Sequence, residues 1–410
     1  MRLLTGISQL VTPPGPGPRS GQAMSDLRIF TDAALAIDGT RIAWIGPSDS
    51  RLGASESWRG RADEVSDLHG CAVVPGLVDP HTHAIWAGDR LADFEARSAG
   101  ASYEQILAAG GGIWHSIRQT AAKSAHELAA LALPRIQALV RSGATTIEIK
   151  SGYGYEPEAE LRMLEAIQLL RAKTPARLIP TLLIHVAPAD SNERAALVSR
   201  ICRELIPQAA ERHLAGSVDI FVEQHAWSAA DARTILTAAR HQGLPVRLHT
   251  EQFSSIGGLE LGLELHALSV DHLEVCSASQ CAAIARSTTV ATILPGVSLH
   301  LGLQPAPGRA LIDAGAAVAI GTDLNPGSSP LFSASMALAL ATRLNGLTAA
   351  EALTAATANA ATALGCSDAG HLTRGAPADF LVLDSSDWRD LAFTLGPSPI
   401  REVWIGGVRA

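Results

Sequence analysis

Seven of eight short apolar runs in this chain lead into a chemically reactive residue, and that recurrence most limits what the chain can fold into. The runs are AVVPGLVD (72–79), TTIEIKSG (145–152), RLIPTLLIH (177–185) and VDIFVEQ (218–224), then PVRLHTEQ (245–252), ALSVDHLE (267–274), TVATILPG (289–296) and AVAIGTDLN (317–325). Each has the length of a strand. Helix-like stretches lie between them. In EPEAELRMLEAIQLLRAK (156–173), Leu161, Leu164 and Ile167 keep a three-to-four spacing. Ser228 opens another helix as a predicted N-cap and Gly243 closes it. The Ala-rich stretch 347–365 reads as a tightly packed helix ending at Gly365. Eight strand–helix units over residues 73–365 predict an α/β fold, a (β/α)8 TIM-type barrel, whose usual size is roughly 250 residues. A doubly wound open sheet is the alternative, but no GxGxxG leads into a helix to support it.

Both ends of the chain read differently. AALAIDGTRIAWIG (33–46) gives two apolar runs around Asp38-Gly39, a hairpin signal. ADFLVLD (378–384) and REVWIGGVRA (401–410) repeat the pattern with a Gly-Gly turn. A smaller β-sandwich-like domain built from residues 1–72 plus 366–410 is therefore expected.

Composition narrows the function classes. With 47% hydrophobic and 18% charged residues, the chain has enough apolar side chains for a large core. A formal charge of −8, with no Lys/Arg-rich run, argues against nucleic-acid binding. One arginine in a pocket still suffices for a small carboxylate substrate. The five cysteines are odd in number and include no CxxC, so they predict reduced thiols rather than disulfides or a thiolate zinc site. The N-terminus lacks a signal-peptide core and no apolar run is long enough to span a membrane, so the expected compartment is the cytoplasm. A homodimer is the default assembly on general grounds.

A barrel requires its reactive groups at the C-terminal ends of its strands. Those ends carry His81 and His83, Tyr153, His185, Glu223, His249, His272 and Asp323. His81 and His83, two apart, face one side and reach one ion. With His249 and Asp323 they make a donor set suited to one Zn²⁺ or Fe ion per chain. Four unrelated polar strand caps would be the bland reading. His272 reads as a third kind of group, an acid/base beside the metal, though a ligand or a satisfied core histidine would fit the same position. Lys150 reads as a salt-bridge or loop-positioning residue rather than a metal bridge. Glu223 reads as a structural partner.

The segments PGLVDPHTH, His249, Asp271-His272 and Thr322-Asp323, with the tail GHLTRGAPADFLVLD (370–384), resemble the amidohydrolase superfamily of metal-dependent hydrolases. Residues 81–120, EIKSGYG (148–154) and GTDLNPGSSP (321–330) are most similar to its branch that opens an imidazolone ring in histidine degradation. The resemblance implies that His81, His83, His249 and Asp323 hold the metal. It also implies that Arg90, Tyr153, His185, Gln252, Asn325, Gly327 and Ser328 contact the substrate, 4-imidazolone-5-propanoate, with Arg90 clamping its carboxylate. His272 and Asp323 are then the catalytic acid/base groups. TLLIHVAP around His185, EQHAWS (223–228) and Ala121 depart from the branch's usual residues, and none of these positions is a ligand. Deaminases of the superfamily usually carry a glutamate where this chain has Gln252, which disfavours a deaminase. The rival readings are another cyclic-amide hydrolase or aminohydrolase, and a non-catalytic scaffold, which would have no reason to keep all four ligands.

Overall fold

The computed structural model describes residues 1–48, 54–102, 105–106 and 109–410. The chain starts in a sheet of its own. β1 (Arg2–Thr12), β2 (Arg28–Asp38) and β3 (Arg41–Pro47) are antiparallel neighbours, and the β2–β3 turn falls at Asp38-Gly39, with Gly39 at φ 57°. β4 (Glu64–Pro75) returns parallel to β1.

The first predicted barrel run, 72–79, is divided between two sheets. Residues up to Pro75 belong to β4, and only Leu77–Asp79 form β5, the first barrel strand. The hand-over is at Gly76, whose N–H bonds Asp379 O of the terminal sheet while Leu77 N–H bonds Gly143 O beside the barrel. A Cβ at 76 would lie 2.3 Å from Thr145 Oγ1, so only glycine allows this crossing.

β6 (Ala144–Lys150), β7 (Arg177–Ile184), β8 (Ser217–Phe221) and β9 (Val246–Thr250) follow, then β10 (Ser269–His272), β11 (Val290–Ile293) and β12 (Val318–Ile320). All pair in parallel with their sequence neighbours. The two outer strands meet just past their ends. His83 N–H bonds Leu324 O and Asp323 N–H bonds His81 O, both at 2.9 Å. Buried Asp79 adds bonds to Thr322 N–H at 3.0 Å and Thr322 Oγ at 2.6 Å. The barrel thus closes at the rim where the reactive side chains stand.

The helices follow the sequence closely. Pro157–Arg171 matches the expected 156–173, and Ala229–His241 is capped by Ser228, which accepts from Asp231 N–H. The Ala-rich helix runs from Ala349 to Ala363 with a π-helical turn at Ala355–Asn359. Among the described residues no helix is long and apolar enough to cross a membrane.

β13 (Phe380–Leu383), β14 (Ile400–Ile405) and β15 (Val408–Arg409) complete the terminal sheet in the order β15-β14-β13-β4-β1-β2-β3. The sheet coils on itself, since Ile42 N–H bonds Ala376 O and Ala378 N–H bonds Thr40 O. Alternation along its strands gives it two apolar faces. Leu4, Ile7, Leu35, Val73, Phe380 and Trp404 fill its own core. Val74, Leu381, Leu383 and Val403 join the barrel's core instead. Each of these fully buried side chains contributes about 1.5–3 kcal/mol, which binds the two parts firmly.

Candidate active site

Four side chains from three regions of the rim converge. His81 and His83 follow β5, His249 lies on β9, and Asp323 follows β12; all four are buried. His83 Nε2 lies 3.4 Å from His249 Nε2, and Asp323 Oδ1 lies 3.4 Å from His81 Nε2 and 3.2 Å from His83 Nε2. His81 Nε2 and Asp323 Oδ1 make no hydrogen bond although buried. Orphaned acceptors facing one another are costly without a cation between them. Donors about 2 Å from a tetrahedral ion stand about 3.3 Å apart, which these separations match. The residues fit a metal ion, and His81 with His272 and Asp323 forms a second close triplet.

His272 completes the group, its ring centroid 5.6 Å from that of His81 and 5.3 Å from that of His249. It sits at φ 86°, followed by Leu273 at 72°; Asp323 is at 50° and Glu251 at 54°. Left-handed backbone at non-glycine residues costs about 1–3 kcal/mol and tends to gather where side-chain placement outweighs comfort.

Beneath the histidines lies a buried ionic layer. Asp271 accepts from His81 Nδ1 at 2.6 Å, and Asp219 accepts from His249 Nδ1 at 3.1 Å. Each bond places the proton on Nδ1 and leaves Nε2 free for an ion. Lys150 donates to Glu148 at 2.8 Å and Asp219 at 2.7 Å, while Arg247 donates to Glu148 and Asp271, both at 3.1 Å, and to Pro80 O at 2.7 Å. Burial alone would raise Asp271 and Asp219. The cations and histidines around them outweigh it, and both stay well below the usual carboxylate range. Burial likewise pushes Asp323 up, but His81 and His83 hold it well below. Lys150 is thus a salt-bridge residue, its ammonium taken up by Glu148 and Asp219.

The residues expected to contact substrate stand nearby. Glu160, in the first turn of the helix Pro157–Arg171, accepts N–H bonds from Gly152, Gly154 and Tyr155 at 2.7–2.8 Å and so shapes the loop presenting Tyr153. A Cβ at Gly154 would come 2.4 Å from Glu160 N. Tyr153 lies 6.0 Å from His83 and 5.8 Å from His185, ring to ring, and His185 stacks on His83 at 5.5 Å. Burial, then neighbouring His83, holds His185 down to about 3, so it is neutral. Gln252 is buried on the loop after β9, and Glu223 braces that loop by accepting from Phe253 N–H, Ser254 N–H and the Ser254 hydroxyl.

Arg90 reaches the β12 loop. Its Nε donates to Asp93, and a Cβ on Gly327 would lie 3.2 Å from its terminal nitrogen. Asn325 is more occupied than the sequence implies. Its Oδ1 accepts from Gly327 N–H at 2.8 Å and Ser328 N–H at 2.7 Å, and its Nδ2 donates to Asp323 Oδ2 at 3.0 Å. It builds the loop and aims Asp323.

Sequence reasoning missed Asp93, Glu160, Asp219, Arg247 and Asp271 as site-building residues. A signal existed for three of them: Asp219, Arg247 and Asp271 are charged residues inside otherwise apolar strand runs, and Arg247 stands two before His249 on the same strand face.

Residues 90–410 match the sequence model of the amidohydrolase family. The chain belongs to the amidohydrolase family, a class its barrel and rim of histidines already define. Its near-full-length relatives within that class are imidazolonepropionases. That of Deinococcus deserti is 59% identical over 407 residues, covering 99% of each chain. That of Chloroflexus aggregans is 44% identical, covering 98% of this chain and 96% of its own. Among solved structures, an adenosine deaminase from Xanthomonas campestris with bound zinc superimposes with a TM-score of 0.71 at 18% identity, covering 100% of this chain and 92% of that one. Guanine deaminase from E. coli gives 0.68 at 18%, covering 100% and 99%. At such identity the likeness is one of fold.

Proposed function

We propose that the chain opens the ring of 4-imidazolone-5-propanoate by hydrolysis to give N-formimidoyl-L-glutamate, with one Zn²⁺ or Fe ion held by His81, His83, His249 and Asp323. The chain is a hydrolase of carbon–nitrogen bonds in a cyclic amide, acting on a small molecule. The observation that carries the assignment is the convergence of four buried donor groups, with orphaned atoms on His81 and Asp323, beside an arginine that reaches the same rim. A bound ion there would polarise the ring carbonyl and make water acidic near neutral pH.

The chain's own residues supply the rest. Asp93 takes one edge of the Arg90 guanidinium, which leaves the terminal nitrogens for the propanoate carboxylate, a pairing arginine makes bidentately. Gly327 leaves room beside them. Tyr153 and neutral His185 offer one hydroxyl and one imidazole to the ring. Gln252 has an amide that can hold a ring nitrogen or oxygen but cannot shuttle a proton, which favours ring opening over deamination. Asp323 turns Oδ1 toward the histidines, and its Oδ2, steadied by Asn325, accepts a proton from the attacking water, while His272 delivers a proton to the departing ring nitrogen. Five free thiols support a cytoplasmic setting.

The test is direct. Purified protein supplied with fresh 4-imidazolone-5-propanoate should form formimidoylglutamate and should carry about one Zn or Fe per chain. Full activity in metal-free protein would sink the mechanism, and turnover of aminated rings alone would move the chain to the deaminases.

A further inference from the structure

Two cysteines flank the N-terminus of the helix Ala278–Ala285, which follows the strand carrying His272. Ser277 caps this helix in a reciprocal box: its hydroxyl accepts from Gln280 N–H at 3.3 Å, and the Gln280 side chain accepts from Ser277 N–H at 2.9 Å. In such a box the residue before the cap packs on the fourth residue of the helix, and any two apolar side chains would serve. Here those positions are Cys276 and Cys281, and their sulfurs are 3.8 Å apart. No other pair of thiols is in contact among the described residues. Cys276 is partly exposed and Cys281 is buried, so a small solute reaches one sulfur while the other waits behind it. The contact also shares a hydrogen between the sulfurs: the hydrogen bond from Cys276 lowers the Cys281 thiol to about 7, and the same contact raises the Cys276 thiol.

We propose that Cys276 and Cys281, held sulfur to sulfur across the helix cap, form a dithiol that a peroxide closes reversibly to a disulfide. Cys276 passes the shared hydrogen to Cys281 as its sulfur attacks the peroxide; an S–O bond forms, the O–O bond breaks, and water leaves after protonation. The Cys281 sulfur then attacks the resulting sulfenic acid; the S–S bond forms, the S–O bond breaks, and a second water leaves. Two thiols are oxidised by two electrons and one hydrogen peroxide is reduced to two waters. A bonded pair needs its sulfurs about 2.0 Å apart, so the closure shortens the present gap by about half.

The position gives the reaction a consequence. Gln280 donates to Glu251 at 3.1 Å and Ser255 at 3.0 Å, and Val275 N–H bonds Glu251 O at 2.9 Å. The cap is therefore tied to the loop bearing Gln252 and lies five residues beyond His272. The disulfide keeps the accessible thiol from passing on to sulfinic acid, an irreversible charged product, beside these loops.

The experiment treats reduced full-length protein with hydrogen peroxide near neutral pH, followed by intact mass and peptide mapping. The expected result is loss of two hydrogens and a cross-linked peptide pair containing Cys276 and Cys281, restored to two thiols by dithiothreitol. In Cys281→Ser, Cys276 should instead gain oxygens irreversibly, and in Cys276→Ser the cross-link should be absent. Wild-type mapping alone overturns the idea if Cys276 gains oxygen while Cys281 stays a thiol, or if both stay reduced while Cys202 is modified.

Discussion

Arg90 and Asp271 show two ways in which one side chain can govern a site. Arg90 faces the mouth, with one nitrogen spent on Asp93. Arg90→Ala should raise KM for 4-imidazolone-5-propanoate by about 10- to 100-fold, the worth of a charge-assisted bond, with a smaller change in kcat. Steady-state kinetics checks this; an unchanged KM places the carboxylate elsewhere. Asp271 touches no substrate and fixes the tautomer of His81. Asp271→Asn should weaken metal affinity by about 10- to 100-fold, measured by competition with a chromophoric chelator. The four converging donors were legible in the sequence because polar residues at strand ends stand out against apolar runs. Asp271 was visible only as half of an Asp-His pair. Its role depends on a bond to a histidine 190 residues away in sequence, which no local pattern encodes.

At the scale of elements, strand interiors and helix starts carry the testable loads. Lys150 is fully buried between Glu148 and Asp219, bonding β6 to β8. Lys150→Met would take the ammonium from two buried carboxylates, leaving Glu148 with Arg247 and Asp219 with His249, and should cost about 3–5 kcal/mol in urea unfolding. The helix Ala125–Arg141 begins in a capping box in which Glu127 accepts from Ser124 N–H and Oγ. Those bonds lower Glu127 from 4.5 to about 2. Its contribution is therefore full above pH 4.5 and is lost as pH falls toward 2. Melting temperatures of wild type and Glu127→Ala should differ at pH 6 and converge near pH 2; because the group is exposed, the difference should be small. Helix limits were readable from such caps, as at Ser228. The first barrel strand was not: VVPGLVD is apolar on both sides of Gly76, and the crossing between sheets depends on Thr145 leaving no room for a side chain.

The whole molecule joins a barrel to a sheet made from both chain ends, and the candidate metal centre lies on the barrel's closing seam. His81, His83 and Asp323 use their side chains toward one point while their backbones, with Leu324, form the bonds joining first strand to last. Removing the ion should lower the melting temperature and speed amide exchange first at residues 81–83 and 323–324, by mass action on the closed form. Equal protection in loaded and stripped protein would show the seam holding without the ion. Alternating strands and helices foretold the barrel, but not where its edges meet, because the register between β5 and β12 is set by contacts between residues some 240 positions apart.

That seam also sets a schedule. A ribosome makes His81 and His83 first, His249 166 residues after His83, and Asp323 a further 74 residues on. No nascent fragment shorter than this holds the full set of donors. Loading of the full donor set thus waits for Asp323, and a prematurely ended product that stops before it carries an incomplete set.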